Sequence, residues 1–165
     1  MVYMLKEWEP QEGKMPCLSI AQPFAMAIIQ RKKKIELRTW GTHYKGLIAL
    51  QAGKTWYGGV KIPGHPTEAQ MRPIKEFARK YQLPACVGDY PTGAIVGVAR
   101  LVKCATFTRE GYERLRDQHC SDCDWTPGEY GWQFEDVQAL PEPIYGVRGY
   151  LGLFAVDEIV LGCDL

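Results

Sequence analysis

The stretch Leu18-Ser-Ile-Ala-Gln-Pro-Phe-Ala25, followed by Arg31-Lys-Lys-Lys-Ile-Glu-Leu-Arg-Thr-Trp40, decides how the chain reads. Pro23 suits the first turn of a helix, where its missing N–H costs nothing. Phe24, Ala25, Ile28 and Ile29 then recur at helical spacing and mark one apolar face. The cations Arg31 to Lys34 complement the backbone dipole at the end of that helix and also offer a basic rim. Ile35 to Trp40 reads as a strand. Alternation along it puts Glu36, Arg38 and Trp40 on one face, with Ile35 and Leu37 on the other. An acid, a guanidinium and an indole side by side exceed what a core needs, and they suit a flat, polar ligand.

Outward from this stretch, Gly46 turns the chain into Leu47–Leu50, an apolar run that fits a buried strand. Thr67 with Gln70 has the form of a capping box. Pro73 limits that first helical turn, and a second piece is predicted from Ile74 to Tyr81. Asp89-Tyr-Pro-Thr-Gly93 is turn chemistry ahead of a strongly β segment from Ala94 towards Phe107. Thr108 is placed to cap a short helix through Tyr112 and Leu115. Tyr130 to Ala139 alternates as a strand does, and Gly146–Val156 and Ile159–Leu161 supply the last strands. Five to seven short strands and two or three helices, without regular βαβ alternation, argue against a doubly wound sheet. They predict an α+β, mainly β fold: a small closed or nearly closed β-barrel with peripheral helices.

At 165 residues the chain has the size of one domain with a real core. A net charge of +1 gives no global field to steer it to a polyanion, so nucleic-acid binding must come from a local patch. No apolar run approaches a membrane span, so no membrane partner is expected. The first 14 residues carry Glu7, Glu9 and Glu12 and do not read as a secretion signal, which makes a cytoplasmic protein with reduced thiols the default. Among the six cysteines, Cys120 and Cys123 form a C-x-x-C preceded by His119. A zinc site needs four ligands, so Cys104 or Cys163 would have to complete it from a distance. The pair is a weak metal candidate, and no metal and no cofactor is expected.

The quoted stretch resembles the ASCH domain family, a branch of the PUA-like superfamily. Leu18, Ser19, Ile20, Gln22, Pro23 and Ala25 match the first half of the family pattern, and Lys33, Glu36, Arg38 and Trp40 the second. Lys45-Gly46, Gln51-Ala52 with Lys54, Asp89–Gly93 and Gly146–Phe154 match later segments. The resemblance implies a domain over residues 16–165 after an extension over 1–15, and a PUA-like barrel with a cleft between the first helix and the barrel. Three positions depart from the pattern. Phe24 stands where Trp is usual, Arg31 where Gly usually ends the helix, and Gln51 where many members have His.

That cleft is expected to hold RNA, DNA or a nucleoside-like molecule. Ser19, Gln22, Lys33, Glu36, Arg38, Trp40, Lys54 and Trp132 are the candidate binding residues. Lys33 and Arg38 suit phosphate, Glu36 an exocyclic amine, and Trp40 base stacking, with Trp132 closing the pocket from the other side. The alternative is a hydrolase acting on nucleic acid or on a modified nucleoside, as a ribonuclease or an N4-acylcytidine amidohydrolase, with Lys33 and Glu36 as its catalytic pair. The amidohydrolase members use a Lys-x-x-Thr run, in which Glu36 here replaces the hydroxyl residue. A third reading is a protein adaptor presenting Trp125, Tyr130 and Trp132.

Overall fold

The computed structural model describes residues 5–159, and its frame is a six-stranded mixed sheet. The chain runs β1 (Lys14–Ile20), α1 (Phe24–Ile29), β2 (Ile35–Arg38), β3 (Gly46–Ala52), β4 (Thr55–Trp56), β5 (Val60–Lys61), α2 (Glu68–Lys80), β6 (Ala94–Thr106), α3 (Arg109–Arg114), α4 (Arg116–His119), β7 (Tyr130–Tyr145) and β8 (Phe154–Asp157). The main sheet has the order β2-β7-β6-β3-β1-β8, and β4 and β5 form a separate small ribbon. Among the named strands β1 and β3 alone pair in parallel, the chain crossing between them through α1 and β2, and a lone parallel bridge joins Leu5 to Gly41. This is the mainly β class with peripheral helices that the sequence predicts. Its ladder is open, with β2 and β8 as the two edges among the described residues.

The long strands β6 and β7 slip register at three places along their pairing. Such irregularities bend strands and increase twist, so they curl the sheet. The main core gathers Leu18, Ile20, Ala25, Ile28, Leu50 and Trp132. A second cluster forms where Ile74 and Ala78 of α2 meet Trp56, Leu83 and Tyr90. Burying such side chains contributes about 1.5–3 kcal/mol each, which holds the helices to the sheet. Among the described residues, no helix is long and apolar enough to cross a membrane.

Local signals placed several elements. Thr67 and Gln70 form a reciprocal capping box, and Thr108 Oγ1 accepts the Gly111 N–H at 3.0 Å. Elsewhere the chain departs from its sequence reading. Pro73 lies inside one continuous α2, because it frees only the carbonyl of Ala69, an exposed residue within reach of water. The segment 146–153 is loop, and only Phe154–Asp157 pairs with β1. Val160 and Leu161 lie outside the described residues.

The basic run does not form a rim. Helix α1 stops at Ile29, and Arg31 takes a left-handed φ of 62°, filling the place of a glycine cap. Its Nε and Nη2 donate to the Val137 carbonyl at 3.2 and 2.9 Å. Lys32 Nζ donates to the Gln82 carbonyl at 2.8 Å, and Lys33 turns inward. Arg31 and Lys34 are exposed, and Lys34 has no side-chain partner among the described residues.

Candidate functional site

Strand β2 positions the charged core of the site. Its edge place beside β7 sets Glu36 opposite Trp132 and Arg38 opposite Tyr130. Glu36 is buried and bridges two cations: Lys33 Nζ lies 3.7 Å from its Oε1 and Arg38 Nη2 3.1 Å from its Oε2. Lys33 also donates to the His119 carbonyl and sits 5.2 Å above the Phe24 ring. Burial pushes the Lys33 amine below its ordinary pKa, with Glu36 the main opposing influence. Arg38 reaches back to the Ser19 carbonyl, while its Nε is buried with no acceptor among the described residues.

Arg38 stands between two cavities and lines both. The first, of about 970 Å³, is bounded by Ser19, Trp40, Gln51, Lys54 and the loop from Tyr145 to Gly152. It carries three cations (Arg38, Lys54 and Arg148) and no carboxylate among the described residues. The second, of about 730 Å³, is bounded by Phe24, Lys33, Glu36, Tyr57, Phe77 and Glu129, among others. Glu36, Glu76, Asp122 and Glu129 all face it. Burial raises the Glu129 carboxyl above its ordinary range; Lys33 pulls it down and Glu36 adds to the rise. An anionic group therefore fits the first cavity, and an amine-bearing or neutral group the second.

The predicted residues divide on this geometry. Ser19, Arg38 and Lys54 meet at the first cavity, and Lys33 and Glu36 at the second. Ser19 Oγ donates to Gln51 Oε1 at 2.5 Å, and Gln51 Nε2 donates to the Val147 carbonyl at 2.8 Å. Gln51 is thus a brace beneath the floor. Gln22 is brought to neither cavity. It is fully buried, its amide donating to the Pro91 carbonyl and accepting the Met26 N–H, both at 2.9 Å, so it anchors α1. Trp132 is also fully buried, and its indole N–H donates to the Trp40 carbonyl at 3.1 Å.

Trp40 itself is only 8% exposed and packs edge-on to Trp132 at 4.8 Å. Lys6 Nζ lies 5.3 Å from its ring centroid, on a segment tied by the Lys6 N–H to the Gly41 carbonyl. Trp40 therefore offers the cavity a margin, not an open stacking face. The most exposed aromatic side chains at this cavity are Tyr145, at the end of β7, and Tyr150 in the loop that reading 146–156 as strand had hidden. Its signal was Gly146, Gly149 and Gly152, a spacing that strand interiors avoid.

The His119–Cys123 loop is built around its own hydrogen bonds. Ser121 N–H donates to His119 Nδ1 at 3.1 Å, so the proton sits on Nε2, which meets the Tyr112 carbonyl at 2.9 Å. Both ring nitrogens are spent, leaving Cys120 and Cys123 without a third ligand from His119. No group of three ligand-type side chains gathers among the described residues, and Cys163 lies outside them.

Comparison with known proteins agrees with this architecture. A model of the ASCH domain family matches residues 18–147. Activating signal cointegrator 1 of Mus musculus is 28% identical over 88 residues, covering 53% of this chain and 14% of that protein. The Homo sapiens protein of the same name is 27% identical over 90 residues, with the same coverage of each chain. The chain thus matches only about a seventh of the length of these relatives. A crystal structure of ASCH from Zymomonas mobilis superposes with a TM-score of 0.50 over 87% of each chain, at 14% identity, which establishes likeness of fold.

Proposed function

The chain belongs to the ASCH domain family, and from that premise we propose that it binds nucleic acid, RNA or DNA, with a phosphate seated in the first cavity. Residues 16–165 form the family domain in this reading. One observation carries it: the first cavity gathers Arg38, Lys54 and Arg148 and no carboxylate among the described residues, although the chain as a whole is nearly neutral. Arg38 is half-buried at this opening, and guanidinium N–H groups match phosphate oxygens in direction as well as charge. Lys33 and Glu36 then face the base or sugar from the second cavity. A reducing cytoplasm suits the five described cysteines, all free thiols.

The test is fluorescence anisotropy of labelled single-stranded RNA, single-stranded DNA and duplex DNA at low and moderate salt, with every end point run on a denaturing gel. Binding should weaken with salt, as phosphate contacts require. Arg38→Ala and Lys54→Gln should each lower affinity by about fivefold or more, as expected for a lost contact of ~1 kcal/mol or greater. Lys54 is exposed, so its substitution leaves the fold intact. Unchanged affinity in both variants would refute the assignment.

A second reading, hydrolysis of nucleic acid or of a modified nucleoside, is favoured by one arrangement. The depressed Lys33 amine and the raised Glu129 carboxyl face the same cavity, a base and an acid with pKa values pushed towards each other. Cleaved product on the gels that disappears with Lys33→Met would move the protein to that class.

A further inference from the structure

The end of β7 and the loop that joins it to β8 combine exposure with anchoring. Leu151 is 95% exposed, Tyr145 64% and Tyr150 55%, far more than large apolar side chains of a core. Yet the backbone beneath them is pinned. Val147 N–H donates to the Gly93 carbonyl at 3.1 Å, and the Val147 carbonyl accepts from Gln51. Gly149 lies so close to the floor that a Cβ there would stand 2.7 Å from Ser19 Oγ. The loop is held down at Val147 and Gly149, and the side chains of Tyr145, Arg148 and Tyr150 line the cavity above. The Arg148 guanidinium lies 5.3 Å from the Tyr150 ring centroid, and Tyr150 leans on Phe154 at 5.4 Å.

Aromatic rings on a pinned backbone, interleaved with an arginine at the edge of a cavity that no carboxylate lines among the described residues, fit one ligand class. Bases offer flat faces to such rings when they are unpaired, whereas a duplex keeps those faces inside its own stack. We propose that Tyr145 and Tyr150 are the base-stacking platform of this protein, that Arg148 meets the phosphate between the stacked bases, and that the favoured ligand is therefore an unpaired nucleic-acid segment rather than a duplex. The inference rests on the nucleic-acid reading of the first cavity, and it transfers the stacking role from buried Trp40 to this loop.

The experiment compares wild type with Tyr145→Ala, Tyr150→Ala, the double variant and the two Tyr→Phe variants. The probes are a short single-stranded RNA, the DNA of the same sequence and its duplex, each labelled for anisotropy. Loss of a stacked base costs ~1–3 kcal/mol, so each alanine variant should lose at least about fivefold in affinity for single strands. Phenylalanine should retain it. The slope of affinity against salt should be the same in wild type and alanine variants, because stacking releases no counterions. A 2-aminopurine in the strand should be quenched by wild type and not by the double variant. Thermal melting checks that the exposed substitutions leave the fold intact. Duplex binding as tight as single-strand binding, or an unaffected double variant, overturns the inference and leaves the phosphate assignment standing. Failure of wild type to bind any polymer overturns both.

Discussion

Substituting Gly149 by alanine tests whether the loop over the first cavity is seated as described. Gly149 lies outside the left-handed region of φ, so alanine meets no backbone penalty there. Its Cβ would lie 2.7 Å from Ser19 Oγ, 3.0 Å from Gln51 Oε1 and 3.3 Å from Ser19 Cβ. The closest of these must open by about 0.7 Å to reach ordinary contact at 3.4 Å. Ser19 can rotate away only by losing its hydrogen bond to Gln51, which in turn holds Val147. Overpacking of this kind costs ~1–3 kcal/mol, offset by ~0.4–1 kcal/mol from the stiffer unfolded chain. A net loss centred on about 1.3 kcal/mol, and no more than about 2.6, corresponds to a Tm lower by roughly 3–5 °C at the centre of that range for a chain of this size. Single-strand affinity should fall with it, because the lifted loop carries Arg148 and Tyr150. Ser19→Ala removes the closest atom, so the double variant Ser19→Ala/Gly149→Ala should regain part of both losses. Melting curves and anisotropy on the four members of this cycle measure the coupling. A Gly149→Ala protein that melts and binds as wild type, or strictly additive effects, would refute the seating of the loop and the inference built on it.

Two further outcomes follow from the charges. Burial holds the His119 imidazolium pKa below its ordinary value, so the unfolded chain takes up that proton first as pH falls. Stability from this residue is complete above about pH 6.5 and is lost progressively as pH drops from there towards the depressed folded value; urea unfolding between these limits should show a slope that His119→Gln lacks, and identical slopes would sink the assignment. The binding isotherms supply the other outcome: with Arg38, Lys54 and Arg148 as the cations of the cavity, the logarithm of single-strand affinity should fall against that of salt with a slope of about −2, and a slope near zero would show that phosphate is not what the cavity holds.

How far the fold was legible follows from the range of each signal. The caps at Thr67 and Thr108 and the apolar face of α1 are local, and each element formed where its own residues specify it. The four-cation run failed because its partners are distant: Lys32 meets a carbonyl 50 residues away, Lys33 one 86 away and Arg31 one 106 away. No local pattern distinguishes a lysine bound for solvent from one bound for a buried carbonyl. The Gln82 and Val137 carbonyls capture cations that helix-end electrostatics alone would leave solvated.

The site shows the same division. Alternation correctly joined Glu36 with Arg38, because both lie within the hydrogen-bonded span of β2. Trp40 lies beyond the last paired residue, Arg38, yet it packs against Trp132, the cross-strand partner of Glu36, and borders the first cavity beside Arg38. What alternation does not carry is depth: the indole is almost wholly covered and spends its face on the core. What replaces it as an open aromatic surface lies more than a hundred positions along the chain, and only the pairing of β7 through β6 and β3 brings Tyr145 above Ser19. This placement divides the labour of the site. Glu36 neutralises much of the charge of Lys33 and fixes Arg38 from behind, while the loop brings Arg148 over an opening that no carboxylate lines among the described residues. A ligand with a phosphate and a flat base meets its charge on the strand and its stacking partner on the loop. Affinity should therefore depend on both parts at once, and a strand variant combined with a loop variant should show coupling that neither the charge nor the ring explains alone.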